Sequence, residues 1–158
     1  MAIAPSLEKY LSAEKITYDV IEHQPAMSAT RVAEICKISG DRLAKAVLLR
    51  SADGYLLAIL PGSHHIRFSD GTLQRLLGCD VDLASEFELG QVFQDCVSGA
   101  VPPVGACYGL DAIVDDSIEE QPEVYMVAGD HETLVHMNHM QFARLTQNAW
   151  RGRFSAHD

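Results

Sequence analysis

The sequence predicts an α/β domain, on three observations. Two nearly continuous apolar runs, Leu43-Ala44-Lys45-Ala46-Val47-Leu48-Leu49 and Tyr55-Leu56-Leu57-Ala58-Ile59-Leu60, flank Ser51-Ala52-Asp53-Gly54. A short Asp-Gly loop between such runs makes a β-hairpin, and their unbroken apolarity places both strands centrally. Segments with apolar residues at helical spacing are interleaved with this hairpin and with shorter strand-like runs. The length of 158 residues, 47% hydrophobic and 22% charged, suits one domain (1–158) with a core of its own and argues against disorder.

The elements follow in order. Pro5 and Ser6, then Leu7, Tyr10 and Leu11, predict an amphipathic helix ending near Lys15. Residues 18–22 read as a short strand, broken by His23-Gln24-Pro25 because proline removes a donor and restrains its predecessor. A helix is predicted over 28–38, with Val32, Ile35 and Cys36 on one face and Gly40 as its stop. After the hairpin, Pro61-Gly62 ends the strand, and a helix over 72–77 closes at Gly78. Val81 and Leu83 alternate with acids as a half-buried strand. Ser85, with Glu88 three residues on, is a capping box opening a helix to about Phe93. Strands are predicted around 112–114, 124–128 and 133–136, and Asn138 with Gln141 caps a final helix. The polar tail after Trp150 is expected to fray.

The formal charge of −10 hides an asymmetry. Residues 1–75 carry nine Lys or Arg and eight Asp or Glu, whereas residues 76–143 carry no Lys or Arg and 13 Asp or Glu. An acidic chain does not grip nucleic acid broadly; its acids are either a solvated face that keeps the protein soluble, or they leave an anionic ligand to approach through the N-terminal half, where Arg31, Lys37, Arg42, Lys45 and Arg50 lie. No apolar run reaches the ~20 residues of a membrane span, and the N-terminus lacks signal-peptide character. Four cysteines without a C-x-x-C pair read as reduced and mostly buried, in a cytoplasmic protein without a membrane partner.

Three features could carry chemistry. Lys45 interrupts an apolar strand between two small residues; it either snorkels at a sheet edge or projects its charge into a cavity. The loop Gly99-Ala100-Val101-Pro102-Pro103-Val104-Gly105 is stiffened by its prolines, and it is either a plain turn or a holder of a carbonyl, carboxylate or phosphate oxygen. Gly129-Asp130-His131 falls between two predicted strands and by itself reads as a hairpin turn. The adjacent His64 and His65 would point to opposite faces of a strand, and no H-E-x-x-H, Walker A, G-x-S-x-G or G-x-G-x-x-G motif is present. Neither a metal nor a cofactor is expected.

In this order, Lys45, the G-x-V-P-P-x-G loop and the G-D-H triplet resemble the YbaK/EbsC family, stand-alone relatives of the prolyl-tRNA synthetase editing domain. The matching stretches are Gly40-Asp41-Arg42-Leu43-Ala44-Lys45-Ala46-Val47-Leu48, Ala58-Ile59-Leu60-Pro61-Gly62, Leu83-Ala84-Ser85-Glu86, residues 99–105 and Val127-Ala128-Gly129-Asp130-His131, spanning about 18–146. The resemblance implies a mixed, curved β-sheet wrapped by helices. It also implies aminoacyl-tRNA deacylation, the hydrolysis of the ester joining a wrong amino acid to the 3′ acceptor end of tRNA, with a synthetase as a possible second partner. Lys45, Gly99 and His131 correspond to the family's catalytic positions, and Val101, Pro102, Pro103, Val104, Gly129 and Asp130 to its substrate-binding ones. An aminoacyl ester is already activated, so an oriented water and a stabilised oxyanion suffice, without a Ser-His-Asp constellation. Ala46 stands where some deacylases of the family have Asn, and Val104 where many have Phe, so amino-acid specificity does not transfer. The alternatives are a non-catalytic nucleotide or RNA-end binder on the same fold, and a small-molecule esterase or thioesterase.

Overall fold

The structure, a computed structural model, describes residues 3–158. In chain order its elements are α1 (Pro5–Ala13), β1 (Asp19–Glu22), α2 (Ala29–Cys36), β2 (Leu43–Ser51), β3 (Gly54–Pro61), β4 (His64–Ile66), α3 (Thr72–Leu77), β5 (Asp82–Leu83) and α4 (Glu86–Val92). There follow β6 (Asp111–Asp115), α5 (Asp116–Glu119), β7 (Glu123–Val127), β8 (Thr133–Asn138), α6 (His139–Leu145), β9 (Trp150–Gly152) and β10 (Ser155–His157). The main sheet is mixed, in the order β1-β8-β7-β2-β3-β6-β9, with β5 beside β2; β4 and β10 form a separate antiparallel pair. Among the described residues, no helix is long and apolar enough to cross a membrane.

The hairpin sits where its apolarity requires, with β2 and β3 in the middle of the sheet. Ser51 pairs with Gly54, so the loop itself is Ala52-Asp53, and Gly54 takes a φ of 127° that a side chain would resist. Strand alternation splits the hairpin between two cores. Ala46, Leu48, Leu57 and Ile59 pack with Leu7 and Leu11 of α1 and with Phe142 and Leu145 of α6. On the opposite face, Val47, Leu49, Leu56, Ala58 and Leu60 pack with Leu73 and Phe154. Leu43, at the start of β2, belongs to a third cluster with Ala26, Val32 and Leu134. Burying each such Leu or Val contributes about 1.5–3 kcal/mol.

Local signals act largely as expected. Ser85 and Glu88 form a complete capping box, Asn138 Oδ1 accepts from Gln141 N–H, and α3 ends at Gly78. Four expectations need correction. First, α2 stops at Cys36 rather than running to Ile38 with Gly40 as its stop, because Lys37 takes the left-handed conformation and Ile38 N–H turns back to the Ala33 carbonyl at 3.0 Å. Gly40 instead opens a 3-10 turn, Gly40–Arg42. Second, β5 is only two residues long, with Val81 buried but Leu83 59% exposed. Third, the cysteines are free but none is buried; Cys79 is exposed and the other three are half-buried.

Fourth, the tail does not fray. Phe154 is 0% exposed, and the amides of Phe154 and Ser155 donate to the buried Asp115 carboxylate at 2.7 and 2.9 Å. The tail reads as polar because one aromatic side chain and one remote acceptor hold it.

Candidate active site

The site arises from a break in pairing. β2 pairs in parallel with β7 only at Leu43 and Ala44, and along the same edge with β5 only at Leu49 and Arg50. Lys45 and Ala46 lie between these anchors, where a cavity of about 180 Å³ opens. Its walls come from the segment around the start of α2 (His23, Ala26, Met27, Val32), from β2 and from two loop segments contributing Gly99, Val101, Asp130 and His131.

Lys45 is half-buried on the face of β2 between the second and third apolar clusters, cross-strand from the fully buried Leu60. Among the described residues no hydrogen bond or ion pair holds its ammonium. Burial pushes its pKa below the ordinary lysine value, with the Asp158 carboxylate partly opposing the shift. Lys45 is among the residues that line the cavity.

The loops are locked to one another. The Ser98 carbonyl lies 2.7 Å from His131 Nε2; a carbonyl only accepts, so Nε2 carries a proton, and in the neutral imidazole Nδ1 is then the acceptor. Val97 N–H donates to the Gly129 carbonyl at 2.8 Å, and Ala26 N–H to that of His131 at 3.1 Å. The Asp130 carboxylate accepts from Glu132 N–H and Thr133 Oγ1, shaping its own turn. Gly99 has a φ of 84°, and a Cβ there would lie 3.6 Å from His131 Cε1.

Of the residues singled out in the sequence, Lys45, Gly99, Val101, Asp130 and His131 line this one cavity. Pro102, Pro103 and Val104 are buried behind it. Val104, 1% exposed, packs in the α1-side core and borders a separate small cavity with Tyr10 and Leu145. Gly129 is also buried; its backbone lies so close to Ala4 that a Cβ would come within 2.6 Å of the Ala4 Cβ. Sequence reasoning missed His23, Ala26, Met27 and Val32, which carry no local motif and reach the cavity only through the placement of α2.

The basic stretch is less free than its composition implied. Arg31, Arg42 and Arg50 pair with Glu34, Glu123 and Glu88 at 3.1, 2.9 and 3.2 Å.

Residues 23–145 match the protein family described as the aminoacyl-tRNA editing domain. The chain belongs to that family. Editing domains hydrolyse the ester of aminoacyl-tRNA, so this one is an aminoacyl-tRNA deacylase. No curated protein sequence matches the chain. Among solved structures the editing domain is similar to one titled "Crystal structure of a putative trans-editing enzyme for prolyl tRNA synthetase". There the identity is 22% and the TM-score 0.82, over 98% of this chain and 99% of that one. A second, the "hypothetical protein APE2540", has 19% identity and a TM-score of 0.83 over 96% and 99% of the two chains. A third, a "Putative signal transduction protein" from Marinobacter aquaeolei VT8, has 22% identity and a TM-score of 0.75; 96% of this chain matches 30% of that one. These likenesses establish the mixed-sheet editing-domain fold.

Proposed function

We propose that the editing domain works in trans, taking the aminoacylated 3′ end of tRNA into the Lys45 cavity and hydrolysing its ester. The observation that carries the reading is the convergence of Lys45, Gly99 and His131 on one half-buried cavity. Water adds to the ester carbonyl carbon, the oxyanion collapses and the carbon–ribose oxygen bond breaks, releasing a free amino acid and a free ribose hydroxyl. The Lys45 ammonium supplies positive charge to the developing oxyanion or to the terminal phosphate, and incomplete solvation strengthens that attraction. His131 Nδ1 offers the lone pair that accepts a proton of the attacking water or orients the substrate amine. Val101, with Ala26, Val32 and Leu43, presents an apolar wall to the amino-acid side chain, where selection by size is worth about 1–3 kcal/mol per methylene.

Contact with tRNA is confined to its end, because Arg31, Arg42 and Arg50 of the basic stretch are paired with carboxylates. The salt dependence of binding should therefore be shallow, with a log–log slope of about −1 to −2. The decisive experiment is single-turnover hydrolysis of a panel of mischarged tRNAs by wild type and Lys45→Ala. Loss of about 10²–10³-fold in rate with an unchanged circular dichroism spectrum is expected. Full activity in Lys45→Ala would overturn the assignment.

A further inference from the structure

A second constellation lies outside the ester-hydrolysing cavity. Asp41 of the 3-10 turn, His64 of β4 and His157 of β10 each bring one donor atom within 4.8 Å of the others. The pairing of β4 with β10 sets His64 directly opposite His157, and the two rings meet edge to face with centroids 4.3 Å apart. His64 is only 8% exposed, and its Nδ1 is paired with Ser155 Oγ at 2.8 Å. Its other ring nitrogen, Nε2, has no hydrogen-bond partner among the described residues. A buried imidazole with one nitrogen fixed by a neighbouring hydroxyl and the other unclaimed is how proteins orient histidines that ligate metal. Asp41 Oδ1 lies 2.7 Å from His157 Nε2 and 2.5 Å from Ser63 Oγ, so a carboxylate is already held against the second imidazole.

We propose that Asp41, His64 and His157 bind one divalent transition-metal ion, best matched by zinc. Two imidazoles and a carboxylate are borderline donors that suit zinc better than calcium or magnesium. The ion takes the place between His157 and Asp41 now bridged by a proton. A tetrahedral ion with bonds of about 2.0–2.1 Å needs its ligand atoms roughly 3.3 Å apart. His157 is exposed and at the end of a short strand, so its side chain can turn to close the larger separations. The fourth position opens toward a cavity of about 480 Å³ lined by Gly40, Gly62, Ser63, His157 and Asp158, leaving room for water or an anion. Because the ligands come from three segments, the ion clamps β10 to β4 and to the turn that starts β2. Asp41 of that turn lies four residues before Lys45, and none of the hydrolytic steps proposed above is routed through the ion.

The test is titration of the chelator-treated full chain with zinc by calorimetry and with cobalt by visible absorption. One equivalent should bind, cobalt should give the intense d–d bands of a tetrahedral site, and zinc should raise Tm. His157→Ala, whose side chain is exposed and whose removal spares the core, should weaken binding at least about tenfold and abolish the zinc-dependent rise in Tm. Ser155→Ala should weaken it about tenfold while leaving the ligands in place. Absence of stoichiometric binding, or equal affinity in wild type and His157→Ala, overturns the proposal. Deacylation of mischarged tRNA by the metal-free protein is measured alongside, and its outcome bears only on the Lys45 cavity.

Discussion

His131 donates its Nε2 proton to the carbonyl of Ser98 across 2.7 Å, tying the turn after β7 to the loop that carries Gly99. One hydrogen bond thereby sets the imidazole tautomer and the spacing of two walls of the cavity. His131→Ala removes both effects, and a misplacement near 1 Å is worth about 10²-fold in rate. We expect single-turnover deacylation to fall by that order while the melting temperature changes little. His131→Gln, which can still donate to Ser98, should keep the loop in place yet restore only part of the rate. Full recovery in that variant would show that His131 only spaces the walls.

Lys45 ties activity to pH. Burial lowers its pKa, so its charge is lost at a lower pH than that of an ordinary lysine. The rate should accordingly decline on the alkaline side earlier than 10.5. The same shift means that the folded protein binds fewer protons than the unfolded chain between the two pKa values, so charged Lys45 costs stability at neutral pH. Lys45→Met should therefore raise Tm while abolishing deacylation. A fall in Tm would show that the ammonium is better solvated than its burial implies.

The two glycines of the site fail differently. At Gly129 a methyl group would meet the Ala4 Cβ at 2.6 Å in a φ of 115°, so the N-terminal segment must move. At Gly99 the nearest atom is His131 Cε1 at 3.6 Å, an ordinary contact, and only the φ of 84° resists. Gly99→Ala should cost about 1 kcal/mol and Gly129→Ala about 2–3 kcal/mol in urea denaturation. Equal costs would mean that Ala4 yields without strain.

Asp115 holds the end of the chain. It is 0% exposed and accepts from the amides of Ser117, Phe154 and Ser155 and from the Ser117 hydroxyl. Asp115→Ala leaves these donors unpaired, at roughly 1–3 kcal/mol for each that stays buried. Hydrogen exchange should show the amides of 154 and 155 losing protection ahead of those in β2 and β3. Uniform loss across the protein would instead mean that the C-terminal strands do not open separately.

The hairpin, α3, the capping box at Ser85 and the Asn138 cap were legible because each rests on residues within a few positions of one another. Lys45 was legible for the same reason, as a charge at odds with its strand. The resemblance gave Val101 and Val104 the same role, whereas the chain turns there and sends Val101 to the cavity and Val104 to the core. His23 and Ala26 had no such signal.

What the sequence determined by itself was therefore the inventory of elements, the central place of the hairpin and the identity of the anomalous lysine. These follow from short-range periodicity, caps and turn residues. Only the tertiary structure decided which loops join Lys45 around the cavity, that Arg42 and Arg50 pair with Glu123 and Glu88, and that Asp41, His64 and His157 meet. Contacts between residues 20 to 120 positions apart depend on how all the apolar faces are buried together, and no local pattern encodes that sum.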